Sequence, residues 1–307
     1  MRLIRSEMSY LSKFYENTNP LNLFKSGDIA LQGNEEKQLE KKGVLKDGKL
    51  LPAADELFRP AADPERCSRI MLREGDYLVE KYAYKKGEEH VLVENYSGDV
   101  VFSPAGNMEQ LKFQLSQWVG LSNFISFELN ANLPNDELIV FMAIADIRRE
   151  KELLGYLGQE TEDEIPFAAI RKQLEAPVPG SIASILINSY KFPVPEIGDT
   201  KGILDRLVAE KIVDFRKGKT QAGYVLLGQY EDFAKRFLIP QTIVMLETFN
   251  LGEGKEIVGV GMLCLWAGMR EIITLSLKEG STEIASVSGF QLLEIMEDFL
   301  NCPDVRP

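Results

Sequence analysis

Apolar and polar residues alternate along four short stretches in the first half of the chain, Arg69–Arg73, Tyr77–Tyr84, His90–Asn95 and Val100–Phe102. Alternation of period two marks half-buried strands. The turns between them, Glu74-Gly75-Asp76, Lys85-Lys86-Gly87 and Ser97-Gly98-Asp99, are too short for parallel crossovers. The strands are therefore predicted to pair as antiparallel hairpins. The period then changes: Met108, Leu111, Phe113, Leu115 and Trp118 suit a helix over Met108–Val119 that covers the sheet. Strand patterns return at Thr242–Leu251, Glu256–Leu265, Ile272–Leu277 and Thr282–Ser286, and a second amphipathic helix, Phe290–Leu300, closes them. Antiparallel strands with helices grouped on one face define an α+β class.

The residues ahead of each meander also recur. Gly27-Asp28 leads to a charged helix, Glu35–Lys42, and through it to Leu39-Glu40-Lys41-Lys42-Gly43-Val44-Leu45. Gly198-Asp199 leads to Leu207-Val208-Ala209-Glu210-Lys211-Ile212-Val213. Gly43 stands where a left-handed helix C-cap favours glycine, and Asp47-Gly48 is the turn of a short two-stranded ribbon. Helix, cap and ribbon make a winged-helix-like corner, and Lys217-Gly218-Lys219 repeats its turn. The offset between copies grows from 168 residues at Leu39/Leu207 to 183 at Gly106/Gly289, the surplus falling in segments that tolerate insertion. The expectation is two quasi-repeated domains, each an antiparallel sheet with flanking helices and a winged-helix-like corner.

The first repeat is expected over 1–134, opened by an amphipathic helix within Met1–Phe24 that carries Leu3, Ile4, Met8, Leu11, Phe14 and Tyr15. The second is expected over 166–307, with a connecting helix and acidic linker over 135–165. Asn135-Asp136-Glu137 puts negative charge at a helix start, where the dipole favours it. Leu138–Ala145 is apolar all round and reads as buried between the halves, and Gln159–Glu164 reads as the linker.

Composition narrows the function. The chain of 307 residues is 45% apolar and 27% charged, enough for two domains with their own cores. No apolar run reaches bilayer length, and Val258–Met269 is short and interrupted by glycine. Ser6, Glu7 and Lys13 break up any apolar leader after Met1–Arg5, so cytoplasmic residence without a membrane is expected. The net charge of −12 is uneven: 17 basic and 20 acidic side chains in residues 1–135, then 18 and 27. The one basic cluster, Lys37, Lys41, Lys42, Lys46 and Lys49, is interleaved with Glu35, Glu36, Glu40 and Asp47. No nucleic-acid partner is expected.

Candidate chemistry is sparse. Cys67, Cys264 and Cys302 lack the spacing of a disulfide framework or zinc site. His90, the single histidine, has acidic neighbours that favour its charged form, but without a second histidine it reads as an edge-strand residue. Gly252-Glu253-Gly254 and Gly259-Val260-Gly261 lack a strand-to-helix context, and Gly218-Lys219-Thr220 lacks the upstream glycine of a phosphate loop. The acidic run Glu160–Glu164 lacks the ligand spacing of a calcium loop. No catalytic, cofactor or metal residue is assigned. Aromatic residues remain. Tyr82 and Tyr84 share a strand face with Glu80, turned either to the core or to a partner, and they are the candidate partner-binding residues.

The run Leu39–Leu45, then Asp47-Gly48-Lys49-Leu50, a meander and a closing amphipathic helix, with the unit present twice, resembles the EspG chaperones of type VII secretion. The resemblance lies in element order and internal duplication. It implies a cytosolic protein of two quasi-symmetric α+β halves that binds secreted helical substrates. The opening helix and the extra helix Asp136–Tyr156 depart from that pattern, and no binding residue is carried over. The expected function is a non-catalytic cytosolic protein-binding protein, an adaptor or secretion-chaperone-like protein, with a protein partner, no cofactor, and a homo-oligomer left open. Two alternatives stand beside it: a small-ligand carrier or sensor with its pocket between sheet and helices, and a transcriptional regulator using the winged-helix-like corner.

Overall fold

Element order in the first half of the chain is β1 (Arg2–Ile4), α1 (Arg5–Leu11), α2 (Glu35–Lys41), β2 (Leu45–Lys46), β3 (Lys49–Leu50), α3 (Pro52–Ala62), β4 (Arg66–Glu74), β5 (Tyr77–Lys86), β6 (Glu89–Tyr96) and β7 (Asp99–Pro104). The second half runs β8 (Asn130–Pro134), α4 (Asn135–Tyr156), α5 (Phe167–Glu175), α6 (Ile182–Ser189), α7 (Ile197–Ala209), β9 (Val213–Lys217), β10 (Ala222–Leu226), α8 (Gly228–Arg236), β11 (Thr242–Leu251), β12 (Ile257–Ala267), β13 (Ile272–Lys278), β14 (Ser281–Val287) and α9 (Gly289–Leu300). These positions come from a computed structural model, which describes the chain to residue 303 apart from residues 26–29, 75–76, 97, 105–112, 114–115, 117–125, 237–241, 253–255, 268–270 and 279. The expected turn at Ser26-Gly27-Asp28 and nearly all of the expected helix Met108–Val119 lie outside the described residues. The fold is α+β, with antiparallel sheets as the alternation predicts.

Local chemistry repeats along with element order. At the end of α2 the Val44 N–H donates to the Leu39 carbonyl at 2.9 Å, with Gly43 left-handed at φ +69°. At the end of α7 the Ile212 N–H donates to the Leu207 carbonyl at 3.0 Å, with Lys211 at φ +60°. Both are the six-to-one bond of a Schellman cap. Each ribbon then closes on the same point, Leu51 N–H to Val44 and Leu227 N–H to Ile212, both at 3.0 Å. The edge strands repeat as well: β1 pairs antiparallel with β7 and runs straight into α1, while β8 pairs antiparallel with β14 and runs straight into α4. The third residue of each of these helices is a buried glutamate held by a cation. Glu7 takes Lys42 Nζ at 2.7 Å, and Glu137 takes Arg206.

Two compact units result, Met1–Leu121 with Ile243–Cys264 and Phe290–Pro307, and Ser122–Thr242 with Leu265–Gly289. In the first, the strand order is β1-β7-β6-β5-β4-β11-β12. One sheet face, with Cys67, Tyr84, Val91, Val93 and Phe102, forms a core with Leu3, Leu11, Phe24, Leu39 and Phe58. Leu3 corrects the expected opening helix: it lies in β1 opposite Val100 and is fully buried. The last strand of a meander offers unpaired backbone groups, and satisfying them outweighs the helical spacing of Leu3 and Ile4. The helix starts only at Arg5, where Glu7 Oε2 accepts the Ile4 N–H at 2.8 Å.

In the second unit, α4 is the centre. Leu138–Ala145 are fully buried, with α5, α6, α7 and α8 packed around them. The Phe141 ring lies 5.5 Å from Tyr230 and 5.9 Å from Phe233. The acidic stretch read as a linker is fastened to this unit. Lys151 Nζ donates to the Glu162 and Glu164 carbonyls at 2.7 and 2.8 Å, and Glu162 accepts the Thr220 N–H and hydroxyl at 3.1 and 2.8 Å. Among the described residues no helix is long and apolar enough to cross a membrane.

Candidate functional site

Strand pleating sends Glu80, Tyr82 and Tyr84 to one face of β5 and Lys81 and Ala83 to the other. Ala83 is fully buried on its face, so both faces are occupied. The two tyrosines stack with ring centroids 6.1 Å apart, yet their environments differ. Tyr84 is 5% exposed and belongs to the core, whereas Tyr82 is half-buried at its margin. The Tyr84 hydroxyl is hydrogen-bonded to the Cys67 thiol, and burial holds both groups well above their usual pKa values. Tyr82 donates to Glu80 Oε2 at 3.1 Å; burial, then the Glu80 charge, pushes its phenol up to about 12. Beside it Arg69 Nε donates to Glu247 Oε2 at 2.6 Å.

A cleft of about 630 Å³ opens over these rings. Its floor is Met8, Phe24, Cys67, Tyr84 and Val100; its walls are Tyr82, Phe249 and the loop Pro20–Leu23. Ile257, 48% exposed, stands on the rim, and so does the exposed Arg5. Asparagines shape the loop wall, each mimicking a backbone turn with its side chain. Asn19 donates to Asp63 Oδ1 at 3.0 Å and the Pro64 carbonyl at 2.7 Å while accepting the Leu21 N–H at 2.9 Å. Asn22 donates to the Tyr15 carbonyl and accepts the Phe24 N–H, both at 2.9 Å. The wall is thus built in advance of any ligand. Volume and lining match sites that hold apolar groups.

Sequence reasoning singled out the tyrosines but missed Arg5, Phe249, Ile257 and the asparagine-built wall. The signal for the wall was local: Asn17-Thr18-Asn19-Pro20-Leu21-Asn22 is a run of turn formers between apolar residues. For Phe249 and Ile257 there was none, because they lie some 170 residues away from Tyr82 in the sequence.

The remaining candidates carry no such site. His90 lies on β6, between β5 and β7, rather than on an edge strand. Its pKa is lowered, first by burial and then by Lys85, so the acidic neighbours do not govern it. Cys302 is buried with its thiol pushed up by desolvation, while the side chain of Cys264 is outside the described residues. Gly259-Val260-Gly261 sits within β12, and an added Cβ at Gly218 would come 2.7 Å from the Gln221 carbonyl oxygen, a close turn. Among the described residues no three His, Cys, Asp or Glu side chains converge as metal ligands.

The fold is α+β and shares its architecture with an EspG chaperone of type VII secretion, in keeping with the resemblance read from element order. Among solved structures the chain is similar to the Mycobacterium tuberculosis type VII secretion system chaperone EspG5, determined in complex with a PE25–PPE41 dimer. The match has a TM-score of 0.53 at 10% identity and spans 100% of this chain and 98% of that one. At that identity the likeness is one of fold. No family model and no curated protein matches the chain.

Proposed function

We propose that the protein is a non-catalytic, cytoplasmic, chaperone-like binding protein that engages a protein partner through the Tyr82–Tyr84 cleft. The observation that carries this reading is the full-length likeness in fold to a chaperone whose structure is a complex with a protein dimer. The cleft supports it, since an open apolar site with aromatic walls is the setting in which a few buried anchors supply most of an interface's energy.

Affinity capture of the tagged full-length protein from native lysate, followed by reconstitution of the recovered partner as a defined complex, tests the reading. A stoichiometric complex that Tyr82→Ala weakens is expected. A protein that captures no partner, and carries a small molecule in native mass spectrometry, would overturn it in favour of a ligand carrier, which a cleft of about 630 Å³ also suits.

A further inference from the structure

We propose that the cleft takes a segment of its partner in which a large apolar side chain is flanked by a carboxylate, and that Arg5 is the group that recognises the carboxylate. This rests on the protein-binding reading above and adds the chemistry of the bound segment.

Arg5 is the one charged side chain among the described residues that line the cleft. Several cations of this unit are matched to acids, Arg2 to Asp99 at 2.5 Å, Lys42 to Glu7 at 2.7 Å and Arg69 to Glu247, and Lys13 lies over the Tyr10 ring. Arg5 forms no ion pair or hydrogen bond through its side chain with any described residue, and it is exposed at the cleft mouth. Nor does helix stability account for it, since a cation on the first helical residue opposes the dipole of α1. An unpaired guanidinium presents a planar fork of donors that fits a carboxylate on two hydrogen bonds. The floor beneath is apolar, lined by Met8, Phe24, Cys67 and Tyr84, and it admits a bulky aliphatic or aromatic side chain.

Charge selects the occupant further. Most of the chain's net charge of −12 lies in residues 136–307, and residues 1–135, which supply most of the cleft, carry 17 basic and 20 acidic side chains. With Arg5 the one charged side chain among the described residues lining the cleft, a carboxylate finds attraction there, and its register is fixed by one contact: anchor in the pocket, carboxylate on Arg5.

Displayed libraries of random dodecapeptides selected against the full-length protein test the inference. Enriched peptides are expected to join an aromatic or large aliphatic residue to a neighbouring Asp or Glu. Synthetic versions with that acid changed to Lys should bind about tenfold more weakly, a difference of about 1.4 kcal/mol. Against Arg5→Glu the preference should invert, with Lys-bearing peptides now favoured, and against Arg5→Ala it should vanish. A misfolded variant would lose binding to both peptides, so inversion cannot arise from unfolding. The inference is overturned if no peptide is enriched, or if enrichment is the same for the protein and for Arg5→Glu. It is equally overturned if decanoate alone binds with dependence on Arg5, which marks a small-ligand site. Dimerisation lost in Arg5→Glu by light scattering would give the cleft to a second copy and overturn it too. A natural partner that is captured by the protein and retained by Arg5→Glu leaves the protein-binding reading standing while this inference falls.

Discussion

Two adjacent tyrosines show why position on a sheet face does not settle a role. Tyr82 and Tyr84 stack on each other and both line the cleft, but Tyr84 is its floor and part of the core while Tyr82 is a half-buried wall. Replacing Tyr84 with alanine removes a ring that is 5% exposed and should cost about 3–5 kcal/mol in denaturant unfolding. Tyr82→Ala should cost only about 1 kcal/mol, and its main effect should be on partner capture. Equal destabilisation by the two substitutions would contradict the assignment. Lys211 gives a prediction of the opposite sign. It holds φ +60° at the cap where α2 has Gly43, and a non-glycine residue pays for that conformation. Lys211→Gly should raise stability by about 1 kcal/mol, seen as a higher melting temperature. Both left-handed caps follow Leu39 and Leu207, so their place was legible in the sequence. That Lys211 would adopt the conformation was not, because the cap bonds impose it, Ile212 N–H to the Leu207 carbonyl and Lys211 N–H to the Val208 carbonyl.

Elements were legible where one periodicity ran uninterrupted. The four strands β4 to β7 pair in the order that alternation predicts, and their turns are the short ones between the runs. Elements that tertiary contacts help to define were harder to read, β1 and α6 among them. β1 exists through its pairing with β7, and α6 is started by a side chain of α4 together with its own Ser181 cap. Asp146 accepts the Ile182 and Ala183 N–H groups at 3.2 and 2.8 Å, which satisfies the first donors of α6, and pairs with Arg149 at 2.7 Å. Burial raises the Asp146 pKa despite these partners, so desolvation outweighs them. Truncating one member of a buried pair leaves the other exposed to the same desolvation. Asp146→Ala should therefore destabilise the protein by about 3–5 kcal/mol in urea unfolding, and Asp146→Asn, which keeps an acceptor for α6, by less. A neutral result for both would mean that Arg149 and the α6 donors find other partners at no cost. The sequence placed α4 correctly as a helix with an apolar segment at Leu138–Ala145, but periodicity carries no information about which bodies surround a helix that is apolar on every side.

At the scale of the molecule, the halves share element order, cap geometry and the buried glutamate, and we propose that they descend from one duplicated unit. Their charges have diverged, 17 basic and 20 acidic side chains against 18 and 27, while the chain keeps a single histidine. That combination shapes the dependence of stability on pH. His90 is the one side chain of a type that ordinarily titrates between pH 5 and 8. Its folded pKa is depressed below the usual 6.5, by burial first and by Lys85 second. The unfolded chain then binds the proton more readily, so the contribution is complete above pH 6.5 and is lost as pH falls through the folded value. Partial exposure of the ring keeps the effect small through solvent screening. The difference in unfolding free energy between the protein and His90→Gln isolates it, since all carboxylates titrate alike in both. That difference should be constant from pH 8 to 7 and should shift against the protein as pH falls toward 5. A shift in the other direction would mean that Glu88 and Glu89, rather than burial, set the charge on this strand.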